Sequence, residues 1–81
     1  MQVRVRLFAG LRERLGTPAL DLDLPEGATA EDAWTALAAR DPGLGERRAS
    51  LALAVNRSYA DFSQRLAPGD EVAFIPPVSG G

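Results

Sequence analysis

Hydrophobic and polar residues alternate strictly at the start of the chain. Val3, Val5 and Leu7 are interleaved with Gln2, Arg4, Arg6 and Phe8. A period of two sends successive side chains to opposite faces, so this stretch predicts a half-buried strand, which Gly10 ends. Leu11 to Leu15 reads as a short helical turn closed by Gly16. Leu20, Leu22 and Leu24 alternate with Asp21 and Asp23 and predict a second strand, turned by Pro25-Glu26-Gly27. The period then changes. Ala30, Ala33, Trp34, Leu37 and Ala38 recur at spacings of three and four, one face of a helix that runs to about Arg40. Thr29 with Asp32 reads as a capping box, with Asp in the place of Glu. Early Glu31 and Asp32 and late Arg40 suit the helix dipole, and Pro42, Gly43 and Gly45 stop the helix. Leu51, Leu53 and Val55 alternate again. Asn56-Arg57 turns the chain toward a short segment around Tyr59, and Phe62 and Leu66 bracket an irregular stretch. Ala67-Pro68-Gly69-Asp70 is a turn, with Pro second and Gly third. Glu71 to Ile75 is the last strand, and Pro76-Pro77 ends it because proline has no N–H to donate.

Strand, strand, helix, strand, strand is an α+β order, with one main helix covering one face of a mixed sheet. It is the pattern of a β-grasp, the ubiquitin-like fold. Residues 1–75 form that domain and 76–81 a separate tail. Parity places Val3, Val5, Leu7, Val72 and Phe74 beneath Trp34 and Leu37. Phe8, Ala73 and Ile75 have the opposite parity and fall on the uncovered face, where nothing in the chain buries them. Phe8, Ile75 and Tyr59 are therefore candidates for a docking surface.

Composition narrows the chemistry. The 81 residues suffice for one small domain. There is no Cys, no His and no Lys, so all nine basic residues are Arg. Disulfides, Cys or His metal sites, a catalytic thiol, a His base and a Schiff-base Lys are excluded. No metal site is expected, and packing alone must hold the core, at roughly 4–12 kcal/mol for a domain this size. The formal charge of −2 gives no reason to expect nucleic acid. Arg47-Arg48 reads as a solvated loop. No apolar run approaches a membrane span, and the charged, alternating start is no signal peptide, so the expected location is cytoplasmic.

The tail, Pro76-Pro77-Val78-Ser79-Gly80-Gly81, carries the chemistry. Two prolines favour stiff polyproline II directly after the last strand. Two residues without side chains follow, and they can thread a narrow channel because glycine has no Cβ. The tail can reach ~20 Å. It delivers the α-carboxylate of Gly81, which is ionised in the cell and is a poor acyl electrophile. That carboxylate needs activation, for example by ATP as an acyl-adenylate, from which a sulfur nucleophile could displace AMP to leave a thiocarboxylate. No side chain of the carrier is needed for this.

Leu7-Phe8-Ala9-Gly10-Leu11-Arg12-Glu13, Ala54-Val55-Asn56 and the run from Gly69 through Pro76-Pro77-Val78-Ser79-Gly80-Gly81 resemble the small subunits of molybdopterin synthase. The resemblance spans the whole chain. It implies a sulfur carrier for molybdenum cofactor synthesis that is not itself catalytic. An adenylating enzyme resembling ubiquitin E1 would activate Gly81 with ATP, and a sulfur donor protein would convert it to a thiocarboxylate. No cofactor would be permanently bound. The tail (Pro77, Val78, Ser79, Gly80) would then enter a large catalytic subunit, in a heterotetramer of two small and two large subunits. Sulfur would pass to cyclic pyranopterin monophosphate. Phe8 and Ile75, with Tyr59, would pack on the partners.

Other readings share the fold and the terminal glycines. One is a sulfur carrier for thiamine or tRNA thiolation, and a second is a ubiquitin-like protein modifier. A third, a plain binding module, would not need Gly81.

Overall fold

The computed structural model describes residues 1–77. β1 (Gln2–Leu7) follows the alternation, with Val3, Val5 and Leu7 buried and the residues between them exposed. β2 (Ala19–Asp23) pairs with it antiparallel, Val3 opposite Leu22 and Val5 opposite Leu20. β5 (Glu71–Ile75) lies on the other side of β1 and runs parallel to it, Val5 opposite Val72 and Leu7 opposite Phe74. β3 (Ala52–Val55) pairs with β5, and β4 (Ser58–Ala60) closes the edge. The sheet order is β2-β1-β5-β3-β4, which puts the first and last strands side by side. α2 (Ala30–Ala38) lays Ala33, Trp34 and Leu37 into the core formed by these strands. The Trp34 ring meets Phe74 edge-on, with centroids 5.2 Å apart. This mixed sheet covered on one face is the β-grasp that the element order predicts.

The capping box forms. Thr29 Oγ1 accepts the Asp32 N–H at 3.3 Å, and Asp32 Oδ2 accepts the Thr29 N–H at 2.8 Å. Two more N–H groups of the first turn, which no helix can satisfy internally, donate to the irregular stretch. Ala30 donates to the Gln64 carbonyl at 2.9 Å and Glu31 to the Phe62 carbonyl at 3.0 Å. That stretch is irregular because its carbonyls serve the helix end rather than a neighbouring strand.

Three local expectations need correction. Gly10 does not end β1. The strand stops at Leu7, Ala9 turns the chain at φ 48, and Gly10 lies inside α1 (Ala9–Leu15), which Gly16 closes in the left-handed region at φ 74. α2 ends at Ala38, so Arg40 falls beyond its cap and no basic residue occupies the last turn. Pro42, Gly43 and Gly45 do follow the end of α2, but Arg47-Arg48 beyond them lies in a 3-10 helix, Pro42–Ser50, and not in a loop. Asp41 caps it by accepting the Gly43 N–H at 3.1 Å, and proline at the first position loses nothing by lacking an N–H. Leu44 from this helix is fully buried.

Asn56 and Arg57 both have positive φ, 50 and 71, as a two-residue hairpin turn requires. Asn56 Nδ2 donates to Asp70 Oδ1 at 2.9 Å, and its Oδ1 accepts the Glu71 N–H at 3.0 Å. Two of the motifs singled out in the sequence therefore meet to fix the start of β5.

Candidate functional site

Parallel pairing decides where the site lies. Because β1 and β5 run the same way, Leu7 and Phe74 stand opposite each other at the same sheet end. The residues that follow, Phe8 and Ile75, emerge there together. Phe8 is 44% exposed, the N-cap of α1, with extended backbone and no side-chain cap. Ile75 is half-buried and pairs with Ala52. They line a groove of about 590 Å³ with Ala9 and Gly10 of α1. Its far wall is Arg47 and Ser50 of the 3-10 helix with Leu51, and Pro76 and Pro77 line its exit. Phe8 and Ile75 are thus brought together as expected, but Ile75 is not left bare. The 3-10 helix, which the prolines and glycines of its sequence disguised, supplies the missing wall.

Tyr59 is 83% exposed on edge strand β4. It stands opposite Ala54, which stands opposite Ala73, so it shares the uncovered face with Ile75 but does not line the groove. Pro77 is exposed at the groove exit. The other tail residues named from the sequence, Val78, Ser79, Gly80 and Gly81, lie outside the described residues.

Two arginine–carboxylate forks hold the groove wall. At the start of the 3-10 helix, Arg14 of α1 donates to both oxygens of Asp41, through Nε at 2.6 Å and Nη2 at 3.0 Å. At its end, Arg48 donates to Glu31 of α2, through Nη2 at 2.7 Å and Nε at 2.9 Å. The Arg48 guanidinium also lies 3.4 Å over the Phe62 ring. So Arg47-Arg48 is not a solvated loop, since both residues are half-buried. The forks perturb their acids. Arg14, and then the Gly43 N–H, hold the Asp41 carboxyl below its ordinary value. Arg48 does the same to Glu31.

Arg47, Ser50, Leu51 and Gly10 belong to the groove and were not read from the sequence. The available signal was Asp41-Pro42, a cap residue followed by proline at the first helical position. It marks a helix start, but nothing in the sequence aims that helix at Ile75.

Chemically, the described part of the site contributes apolar surface, one guanidinium and two prolines at its edge. Its hydroxyl, Ser50 Oγ, is engaged with the Arg47 carbonyl. Such a surface has the character of a docking site rather than of a pocket for a reacting group.

The ThiS family model matches residues 5–81. The molybdopterin synthase sulfur carrier subunit of Arabidopsis thaliana is 40% identical over 81 residues, covering all of this chain and 84% of that protein. Among solved structures, SAMP1 from Haloferax volcanii superposes with a TM-score of 0.89 at 32% identity, covering both chains fully. A chain in the complex of subunits 1 and 2 of molybdopterin-converting factor from Helicobacter pylori gives 0.69 at 26%, again covering both chains fully.

Proposed function

The chain belongs to the ThiS family, and from that membership we propose that it is the sulfur carrier subunit of a molybdopterin synthase. The observation that carries this reading is the similarity, along the whole chain, to the Arabidopsis thaliana carrier subunit. The position of the groove supports it, because a partner that seats on Phe8 and Ile75 receives the tail directly from Pro77.

In this reading residues 1–75 are the handle and 76–81 the delivery arm. The Gly81 carboxylate attacks the α-phosphorus of ATP on an E1-like adenylating enzyme, giving an acyl-adenylate and releasing pyrophosphate. A sulfur donor protein then supplies the nucleophile that displaces AMP and leaves a thiocarboxylate. The tail enters the large subunit, and sulfur passes to cyclic pyranopterin monophosphate. Two such deliveries make the dithiolene, and the assembly is a heterotetramer of two small and two large subunits. Catalysis and ATP binding belong to the partners, and the work is done in the cytoplasm. Among the described residues no helix is long and apolar enough to cross a membrane.

The test is intact-mass spectrometry after incubation with the adenylating enzyme, ATP and a sulfur source. Exchange of one C-terminal oxygen for sulfur is expected. Deleting Gly81, or appending one residue after it, should abolish sulfur delivery without altering the fold. Full delivery by an extended tail would sink the proposal.

The SAMP1 likeness favours one second reading, a protein modifier, because that neighbour is named a small archaeal modifier protein. It uses the same adenylate but ends in an amide bond to a target amine. Covalent adducts removable by an isopeptidase would select it.

A further inference from the structure

Arg47 is the charged side chain in the lining of the groove. Four of the nine arginines, Arg4, Arg6, Arg14 and Arg48, pair with acids of the described residues. Of the other five, Arg12, Arg40, Arg57 and Arg65 are exposed, and Arg47 alone is half-buried. It forms no ion pair or side-chain hydrogen bond with any described residue. Asp41 feels its charge, but both oxygens of that acid are taken by Arg14, and a partly desolvated guanidinium with no acid fastened to it is unfavourable unless something else supplies one. Its placement is also defined. A methyl group at Gly10 would sit 3.0 Å from Arg47 Nη1, so glycine leaves the guanidinium room against α1. Ser50 Oγ donates to the Arg47 carbonyl at 3.1 Å, closing the turn that carries it.

We propose that Arg47 is the polar anchor of this docking groove, pairing with a carboxylate that the large synthase subunit presents beside an apolar side chain. The inference rests on the carrier reading above and adds the specificity-determining contact to it. Phe8, Leu51 and Ile75 give the apolar side chain its walls. The guanidinium gives the acid a planar fork of donors, the geometry that makes arginine–carboxylate pairs directional. Apolar contact supplies affinity, and the charge selects which apolar segment docks and in what register. A partner with lysine or an amide at that point would leave two like charges, or an unpaired one, under the groove walls.

The test measures affinity of the full-length chain for the large subunit by calorimetry at low and moderate salt. Arg47→Glu should weaken binding by about tenfold or more and flatten its salt dependence. Arg65→Glu makes the same charge change at an exposed position outside the groove and should bind as the unchanged protein does. Thermal unfolding checks both variants. If Arg47→Glu does not fold, Arg47→Gln carries the same expectation with a smaller loss. Equal affinity of the Arg47 and Arg65 variants overturns the proposal, because only overall charge then matters. So does self-association of the unchanged chain that Arg47→Glu abolishes, since the occupant is then a second copy. Failure of the unchanged chain to bind the large subunit overturns the carrier reading together with the proposal. Binding that ignores Arg47 overturns the proposal alone.

Discussion

Phe74 and Ile75 are adjacent in β5, as Leu7 and Phe8 are at the end of β1, yet the members of each pair live in different molecules' interests. Leu7 and Phe74 are sealed in the core, where Phe74 meets the ring of Trp34 from α2. Phe8 and Ile75, one residue further on, have no such cover. The period-two geometry of a strand makes this division possible, because one step along the chain changes the face. The same two strands therefore hold the fold with one set of side chains and offer a surface with the other.

That division can be broken experimentally. The largest effect should come from Phe74→Ala, which deletes the ring at the centre of the core. Phe→Ala in a core costs about 3–5 kcal/mol, a large share of what a domain this small possesses. Urea or thermal unfolding should show a chain that is barely folded. Phe8→Ala should instead leave the unfolding midpoint nearly unchanged and weaken the large subunit's binding by about 2 kcal/mol, roughly thirtyfold. If Phe8→Ala destabilises the fold as much as Phe74→Ala does, the two faces are not separate and the comparison fails.

The smallest effect concerns the groove wall and sharpens the comparison. Asp41 and Glu31 sit below their ordinary values because of Arg14 and Arg48. A carboxylate whose folded value is depressed adds stability that is full above its unfolded value of about 4 and is lost as pH falls through the folded value. The unchanged protein should therefore lose this contribution only below about pH 4. The Asp41→Asn, Glu31→Gln double variant should lack it throughout. Melting temperatures of the two proteins should differ most near neutrality and converge in acid. A gap that widened in acid would mean that the forks do not fasten the wall. Both pairs remain partly open to solvent, so screening keeps the effect small.

Much of the fold was legible because its elements are locally consistent. The alternation of Val3, Val5 and Leu7, the cap at Thr29 and the turn at Pro68-Gly69 each depend on neighbours in sequence, and each formed. The site was legible by half. Parity exposed Phe8 and Ile75, but the wall facing them depends on Arg14 reaching Asp41 and on Arg48 reaching Glu31. Those contacts are long-range, and side-chain forks have no periodic signature. Pro42, Gly43 and Gly45 resemble a loop locally, and Leu44 becomes a core residue only once the surrounding elements have closed over it.

The pairing of the first strand with the last has a consequence for the order of events in the cell. A ribosome releases β1 long before β5 exists, so the groove between Phe8 and Ile75 is absent from every nascent or partly unraveled chain. A partner that grips this groove is thereby inspecting finished folding. Chains that have not closed their sheet lack the groove and are passed over.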